Sequence, residues 1–426
     1  MLKKLLITGL LLGLISLAFI EPGQARPAEN EVQSFTLQDT TPTPTPQPQA
    51  TPIVAIPLLE SGAASLAVGP EVYPVGVNPL TGLTVADPAL LERRPIVVKI
   101  TNYPRSVRPQ SGVSVADHVY EYYIERGITR FVAVFYGTDA DKAGPVRSGR
   151  FFDEHVFRMY DGFFVFGYAD SRIMDYFNDL GQHIENSFVL ESPADNKITC
   201  QPNLFVRLCR DRSIDSYNNL FANTAALTHS LRFREQYRAA LAGQAFSPST
   251  PQSSQLGLEL RFRYSSFIDS YWQYDEDLGK YLRFQEEIGF SDVTRTRYVP
   301  HSDALTGQQI TADNVVALIV PHSYYIKTNT VEIIDIDLTG AGLAYVFRDG
   351  FAYPVIWQRT ASGPLQLVDA DGNAFPMKPG NTFYQVISEE TAVNDNGARW
   401  EFLFSLEEFP WGGVTPEAPK EGPESQ

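Results

Sequence analysis

The stretch His118-Val-Tyr-Glu-Tyr-Tyr-Ile-Glu-Arg-Gly-Ile-Thr-Arg-Phe-Val-Ala-Val-Phe-Tyr136 holds two aromatic, β-branched runs, 118–124 and 129–136, about a Glu-Arg-Gly break. That pattern predicts a β-hairpin. Before it, Pro95-Ile-Val-Val-Lys-Ile100 reads as a buried strand, and Ser114-Val-Ala-Asp117 has capping-box spacing for a short helical turn. After it, 148–160 and 171–180 read as helices, the second ended by Gly181, with 163–168 as a strand between them and a longer helical stretch at 217–241. Strands and helices mixed in this way predict an α/β or α+β domain over 73–242.

Residues 243–255 (GQAFSPSTPQSSQ) form a Ser/Pro/Gln-rich break, read as a linker. Beyond it, 256–390 alternates in short runs, with turn signals at Arg348-Asp-Gly350 and Asp371-Gly-Asn373. The expectation is a β-rich sandwich or barrel-like domain, and α+β for the chain as a whole. Residues 391–426 form a C-terminal segment with a disordered acidic tail.

The N-terminus addresses location. Lys3 and Lys4 precede sixteen uncharged apolar or small residues, 5–20, followed by small residues around Ala25. This is a secretory signal or an N-terminal membrane anchor over 1–25. Residues 26–72, with Thr41-Pro-Thr-Pro-Thr-Pro46, read as a disordered spacer. The protein is therefore expected outside the cytoplasm, touching a membrane only through that segment.

The 34 Lys and Arg against 50 Asp and Glu give a net charge of −16, which argues against nucleic acid as a partner. The two cysteines exclude a four-thiolate metal site. In an exported chain Cys200 and Cys209 are suited to a local disulfide, two buried thiols being the alternative. No metal-ligand spacing, P-loop or dinucleotide fingerprint occurs, so neither metal nor cofactor is expected. Asp369-Ala-Asp-Gly-Asn373 starts like a calcium loop, but its twelfth position is Gly380, which favours a turn.

Basic residues gather where the rest of the chain is acidic. Arg130, Arg147, Ser148 and Arg150 suggest an anion-binding pocket, with Gly144-Pro-Val-Arg-Ser-Gly-Arg150 opening a helix whose N-terminal amides would add to it. The competing reading pairs these arginines with Glu121, Glu125, Asp153 and Glu154. Glu121 and Glu125, four apart on a strand, would share a face and could act as an acid/base pair on a glycan. His301 and Asp303 would point the same way on an extended segment and could supply a general base, or simply hold a turn.

Several stretches resemble the YerB-like family of bacterial envelope lipoproteins, a two-part family. They are Asn78-Pro-Leu-Thr-Gly-Leu83, Arg94-Pro-Ile-Val-Val-Lys-Ile100, Arg108-Pro-Gln-Ser-Gly112, Ala116-Asp117 to Tyr120-Glu121, Gly127-Ile-Thr-Arg-Phe131 and Gly144 to Arg150. Later come His301-Ser-Asp303, Thr306-Gly307, Asn314-Val-Val316, and Phe347-Arg-Asp-Gly350 through Trp357 to Pro379-Gly380. The resemblance implies an exported protein held at the outer face of a membrane. This sequence lacks the cysteine that ends a lipoprotein signal, so an uncleaved helix would replace the lipid. The expected function is a non-enzymatic binding or accessory role, recognising an anionic group on a cell-wall glycan or an envelope protein. The alternative is a wall-directed hydrolase using Glu121, Glu125 or His301.

Overall fold

The computed structural model describes residues 67–181, 186–231, 239–287 and 297–406. The signal or anchor over 1–25, nearly all of the spacer over 26–72, and the acidic tail from 407 lie outside the described residues. The hairpin is formed: His118–Glu125 pairs antiparallel with Ile128–Phe135. Arg126 and Gly127 turn it with φ of 48° and 78°, the paired positive values of a tight hairpin turn matched to strand twist.

This hairpin lies inside a ten-stranded sheet. On one side Ile128–Phe135 pairs antiparallel with Ile96–Thr101, which runs parallel to Phe163–Val165 and, through it, to Phe188–Val189. On the other side His118–Glu125 pairs parallel with Thr382–Ile387, which continues to Asn314–Ile319, Gly340–Arg348, Phe351–Arg359 and Gln366–Val368. Strands from both sides of the 243–255 segment thus share one hydrogen-bonded sheet, and within that segment Ala245–Phe246 is itself a buried strand paired with Pro376–Met377. A second, seven-stranded sheet contains Glu259–Arg263, Asp269–Asp275, Lys280–Glu286 and Arg399–Leu403 among its strands. Trp272 and Phe262 are buried in it, and Trp272 meets Phe383 of the large sheet edge-on at 4.9 Å. The architecture is α+β with a β-rich second half.

Three local expectations differ. The helix expected over 148–160 is Phe152–Met159. Residues 146–149 are extended because their backbone groups pair elsewhere: Arg147 N donates to Lys99 O (3.0 Å), Gly149 N to Tyr168 O (2.6 Å), and Gly167 N to Arg147 O (2.9 Å). The helical stretch over 217–241 is instead a buried strand, Leu220–Ala222, followed by helix Thr224–Leu231, with residues 232–238 outside the described set. Pairing with Leu208–Arg210 draws the apolar Leu-Phe-Ala run into a ladder, and Asn223 accepts from Ala226 N at 2.8 Å to start the helix. At Ser114 only the 3-10 turn Val113–Val115 forms. Asp117 is drawn away from the turn, accepting from Tyr136 N (2.6 Å), Gly137 N (2.9 Å) and Asn78 Nδ2 (2.9 Å).

Candidate functional site: an arginine cluster at the hairpin end

Alternation on Ile128–Phe135 sets the two faces of the hairpin. Arg130 stands opposite Tyr122 and Thr101, while Phe131 stands opposite Glu121. Arg130 and Glu121 therefore occupy different faces.

On the first face, Arg130 is 5% exposed, and its Nη1 donates to the carbonyl of Ser148 at 2.5 Å. Arg150 reaches the same carbonyl at 3.5 Å, donates to Gly149 O at 2.9 Å, and bridges to Glu125 at 2.7 Å. Arg147 donates through Nη1 to Tyr217 O at 2.7 Å, and its Nε is buried with no hydrogen-bond partner among the described residues. Burial, then repulsion from Arg150 and Arg147, pushes Arg130 well below the ordinary guanidinium range; burial and Arg150 push Arg147 the same way. Guanidinium does not give up its proton under ordinary conditions, so both arginines stay charged in this desolvated site, with Glu125 acting against the shift. Ser148 contributes its carbonyl to the arginines.

Beneath the cluster lies Lys99, fully buried, 2.8 Å from Asp153 Oδ1 and 3.9 Å over the Tyr122 ring. Burial lowers the Lys99 amine to about 7 against the opposing attraction of Asp153. The other oxygen of Asp153 accepts from Arg150 N at 2.7 Å. The amide expected to face an anion at a helix N-terminus is thus capped by the helix's own first-turn carboxylate. Any anion at this site is held by guanidinium groups.

The second face is closed. Arg283 Nη2 donates to Glu121 Oε2 (2.8 Å) and its Nε to His301 Nδ1 (3.0 Å). His301 Nε2 donates to Gln110 Oε1 (2.7 Å), Gln110 Nε2 to Asn102 Oδ1 (3.0 Å), and Asn102 Nδ2 back to Glu121 Oε1 (3.0 Å). All five side chains are buried. Accepting at Nδ1 and donating at Nε2, His301 is neutral, and burial followed by the charges of Arg283 and Arg108 holds it well below the ordinary imidazole range. Both of its nitrogens are used, so it has no lone pair for a substrate. Asp303 points to other partners, accepting from Gly112 N (3.0 Å), Ser114 N (2.8 Å) and Leu305 N (2.7 Å). The expected His301–Asp303 pair is not formed, because the His301 ring is committed to Arg283 and Gln110 and the Asp303 carboxylate to the amides of Gly112, Ser114 and Leu305.

The Glu121–Glu125 pair is not formed either. A β-bulge between Tyr123 and Glu125 breaks the alternation and turns Glu125 to Arg150 while Glu121 faces Arg283. Cys200 and Cys209 are joined in a disulfide, Cα atoms 5.0 Å apart. Among the described residues no group of three or more His, Cys, Asp or Glu could hold a metal ion. Sequence reasoning missed Asn102, Gln110 and Arg283. Only Arg283 carried a signal: it falls on the buried face of the alternating run Lys280–Glu286, where a lone arginine needs a partner.

The description "Protein of unknown function (DUF3048) N-terminal domain" matches residues 80–237, and "Protein of unknown function (DUF3048) C-terminal domain" matches 259–384. "Putative lipoprotein YerB" of Bacillus subtilis (strain 168) is 26% identical over 333 residues, which is 74% of this chain and 87% of that protein. The chain belongs to the YerB-like family. The crystal structure of the YerB protein from Bacillus subtilis superposes with a TM-score of 0.56 at 22% identity, covering 73% of this chain and 96% of that one, and so shares the fold. Within this YerB-like chain the arginine cluster lies wholly in the N-terminal match. The buried ring joins the two matches, with Asn102, Gln110 and Glu121 in one and Arg283 and His301 in the other. Among the described residues no helix is long and apolar enough to cross a membrane.

Proposed function

We propose that this YerB-like protein works outside the cytoplasm as a binding or accessory protein. Arg130, Arg147 and Arg150 take an anionic group on a cell-wall component or an envelope partner, and the β-rich second half serves as scaffold. The lipoprotein name of its relative supports the location. One observation carries the binding reading. Arg130 is buried without a carboxylate partner among the described residues, whereas the buried Arg93, Arg94, Lys99, Arg283 and Arg348 each have one. Arg359, also without a carboxylate bridge, is satisfied by three carbonyls and the His155 ring. A buried cation left this way is costly unless an anion from outside completes it. The hydrolase reading has no such support, because Glu121 and His301 are locked in the buried ring.

The test is co-sedimentation of the purified protein with isolated cell-wall material in low salt. Wild type is retained without releasing soluble fragments, and Arg147→Ala is retained several-fold less. Undiminished retention of Arg147→Ala removes that residue from the site, and soluble fragments from wild type contradict a binding-only role.

A further inference from the structure

Two exposed tyrosines belong to the segments that hydrogen-bond to the arginine cluster through their backbones. Tyr168 is 62% exposed and Tyr217 is 79% exposed; every other tyrosine among the described residues is buried or half-buried. Both are tied by their backbones to the cluster: Gly149 N donates to Tyr168 O at 2.6 Å, and Arg147 Nη1 to Tyr217 O at 2.7 Å. Elsewhere tyrosines are packed against partners, as Tyr120 stacks on Tyr384 at 4.4 Å and Tyr123 on Phe404 at 5.0 Å. Among the described residues no ring contact joins Tyr168 or Tyr217 to another aromatic. The two most solvent-open tyrosines among the described residues therefore belong to segments whose backbones hydrogen-bond to Gly149 and Arg147, next to the buried Arg130. That combination offers a flat apolar surface next to a fixed positive charge.

We infer that the ligand of this site is a saccharide bearing an anionic substituent, an inference that rests on the anion-binding reading above. Arg130 and Arg147 hold the phosphate or carboxylate. The rings of Tyr168 and Tyr217 receive the C–H faces of the adjoining sugar. Glu125 beside Arg150 and Asp215 near Arg147 are acceptors for sugar hydroxyl groups. These carboxylates, in a chain of net charge −16, also disfavour a polyphosphate strand, whose successive charges they would repel. A nucleotide, which also pairs an aromatic-stacking face with a phosphate, is the competing ligand that the experiment must separate.

The experiment is calorimetric titration of the purified protein with five probes: glucose 6-phosphate, glucuronate, inorganic phosphate, acetate and adenosine 5′-monophosphate. At least one sugar probe is expected to bind roughly tenfold tighter than its bare anion, the contribution of stacked rings. The double variant Tyr168→Ala/Tyr217→Ala, whose rings are exposed, should keep the wild-type melting temperature and the bare-anion affinity while losing the sugar advantage. Arg147→Ala should weaken sugar and bare anion together. Equal affinity for sugar and bare anion, a sugar advantage that survives the double tyrosine variant, or tighter binding of the nucleotide than of either sugar each overturns the inference and leaves the anion site standing. Absence of binding by all five probes removes the anion reading itself.

Discussion

Arg130 and Glu121 sit on strands one ladder step apart yet face opposite fates. Arg130 has a carbonyl and two like-charged neighbours; Glu121 has Arg283, Asn102 and Thr129. Glu121→Gln is expected to cost about 3–5 kcal/mol of folding stability, since it leaves Arg283 without its counter-charge in the interior. Denaturant unfolding measures this. The same variant should retain wall binding at temperatures where it is folded, and loss of binding by folded Glu121→Gln would return Glu121 to the site.

Desolvated imidazoles and one carboxyl also fix an acid response. His118 accepts at Nδ1 from Tyr160 and donates at Nε2 to Leu80 O, and burial lowers it to about 4; His301 lies well below its ordinary value for reasons given above. Their unfolded pKa is about 6.5, so below that pH the unfolded chain takes up protons that the folded chain refuses. Stability is lost as pH falls from about 6.5. Asp117 works in the opposite direction: burial raises it to about 6, so the folded form gains a proton there before the unfolded chain does. His322, whose imidazole burial likewise lowers to about 4, makes three imidazoles against one carboxyl, and the net loss between pH 7 and pH 5 is on the order of 4 kcal/mol. Urea midpoints at the two pH values check this; equal midpoints contradict neutral, buried imidazoles.

At the scale of elements, the hairpin was readable because its aromatic runs and Arg-Gly turn are local. The turn also does a long-range job. A Cβ on Gly127, at φ 78°, would meet the Ser265 side chain at 3.0 Å, and Ser265 Oγ donates to Gly127 O. Gly127→Ala should cost about 1–3 kcal/mol through backbone strain, measurable as a lowered melting temperature. The bulge at Tyr123/Glu125 was not readable, since strict alternation is the only guide a run of residues gives. The expected helix from 148 failed for a related reason. The residues that hold 146–149 extended, Lys99 and Tyr168, are distant in sequence, and no local pattern announces a backbone pairing across that separation. The arginines themselves were legible as a charge anomaly; their convergence on one carbonyl was not.

At the scale of the molecule, composition marked a break at 243–255, and the family descriptions leave a gap around it, between 237 and 259. The hydrogen bonding crosses that break at many points: Thr382–Ile387 pairs with His118–Glu125 in the large sheet, the Glu121–Arg283–His301–Gln110–Asn102 ring closes between the halves, and Arg108 bridges to Glu286. Separated, the halves would leave buried Glu121 and Glu286 without the arginines that pair with them across the break. The protein should therefore unfold in one cooperative transition by calorimetry, with coincident fluorescence and circular dichroism curves. Two separated transitions contradict this coupling.

The proposed role of Arg130, Arg147 and Arg150 is to receive negative charge from outside the chain. Crystals of the protein grown with selenate test it most directly, since selenium scatters anomalously. A selenium peak is expected within hydrogen-bond reach of Arg130 and Arg147; selenate bound elsewhere with this cluster empty contradicts that role.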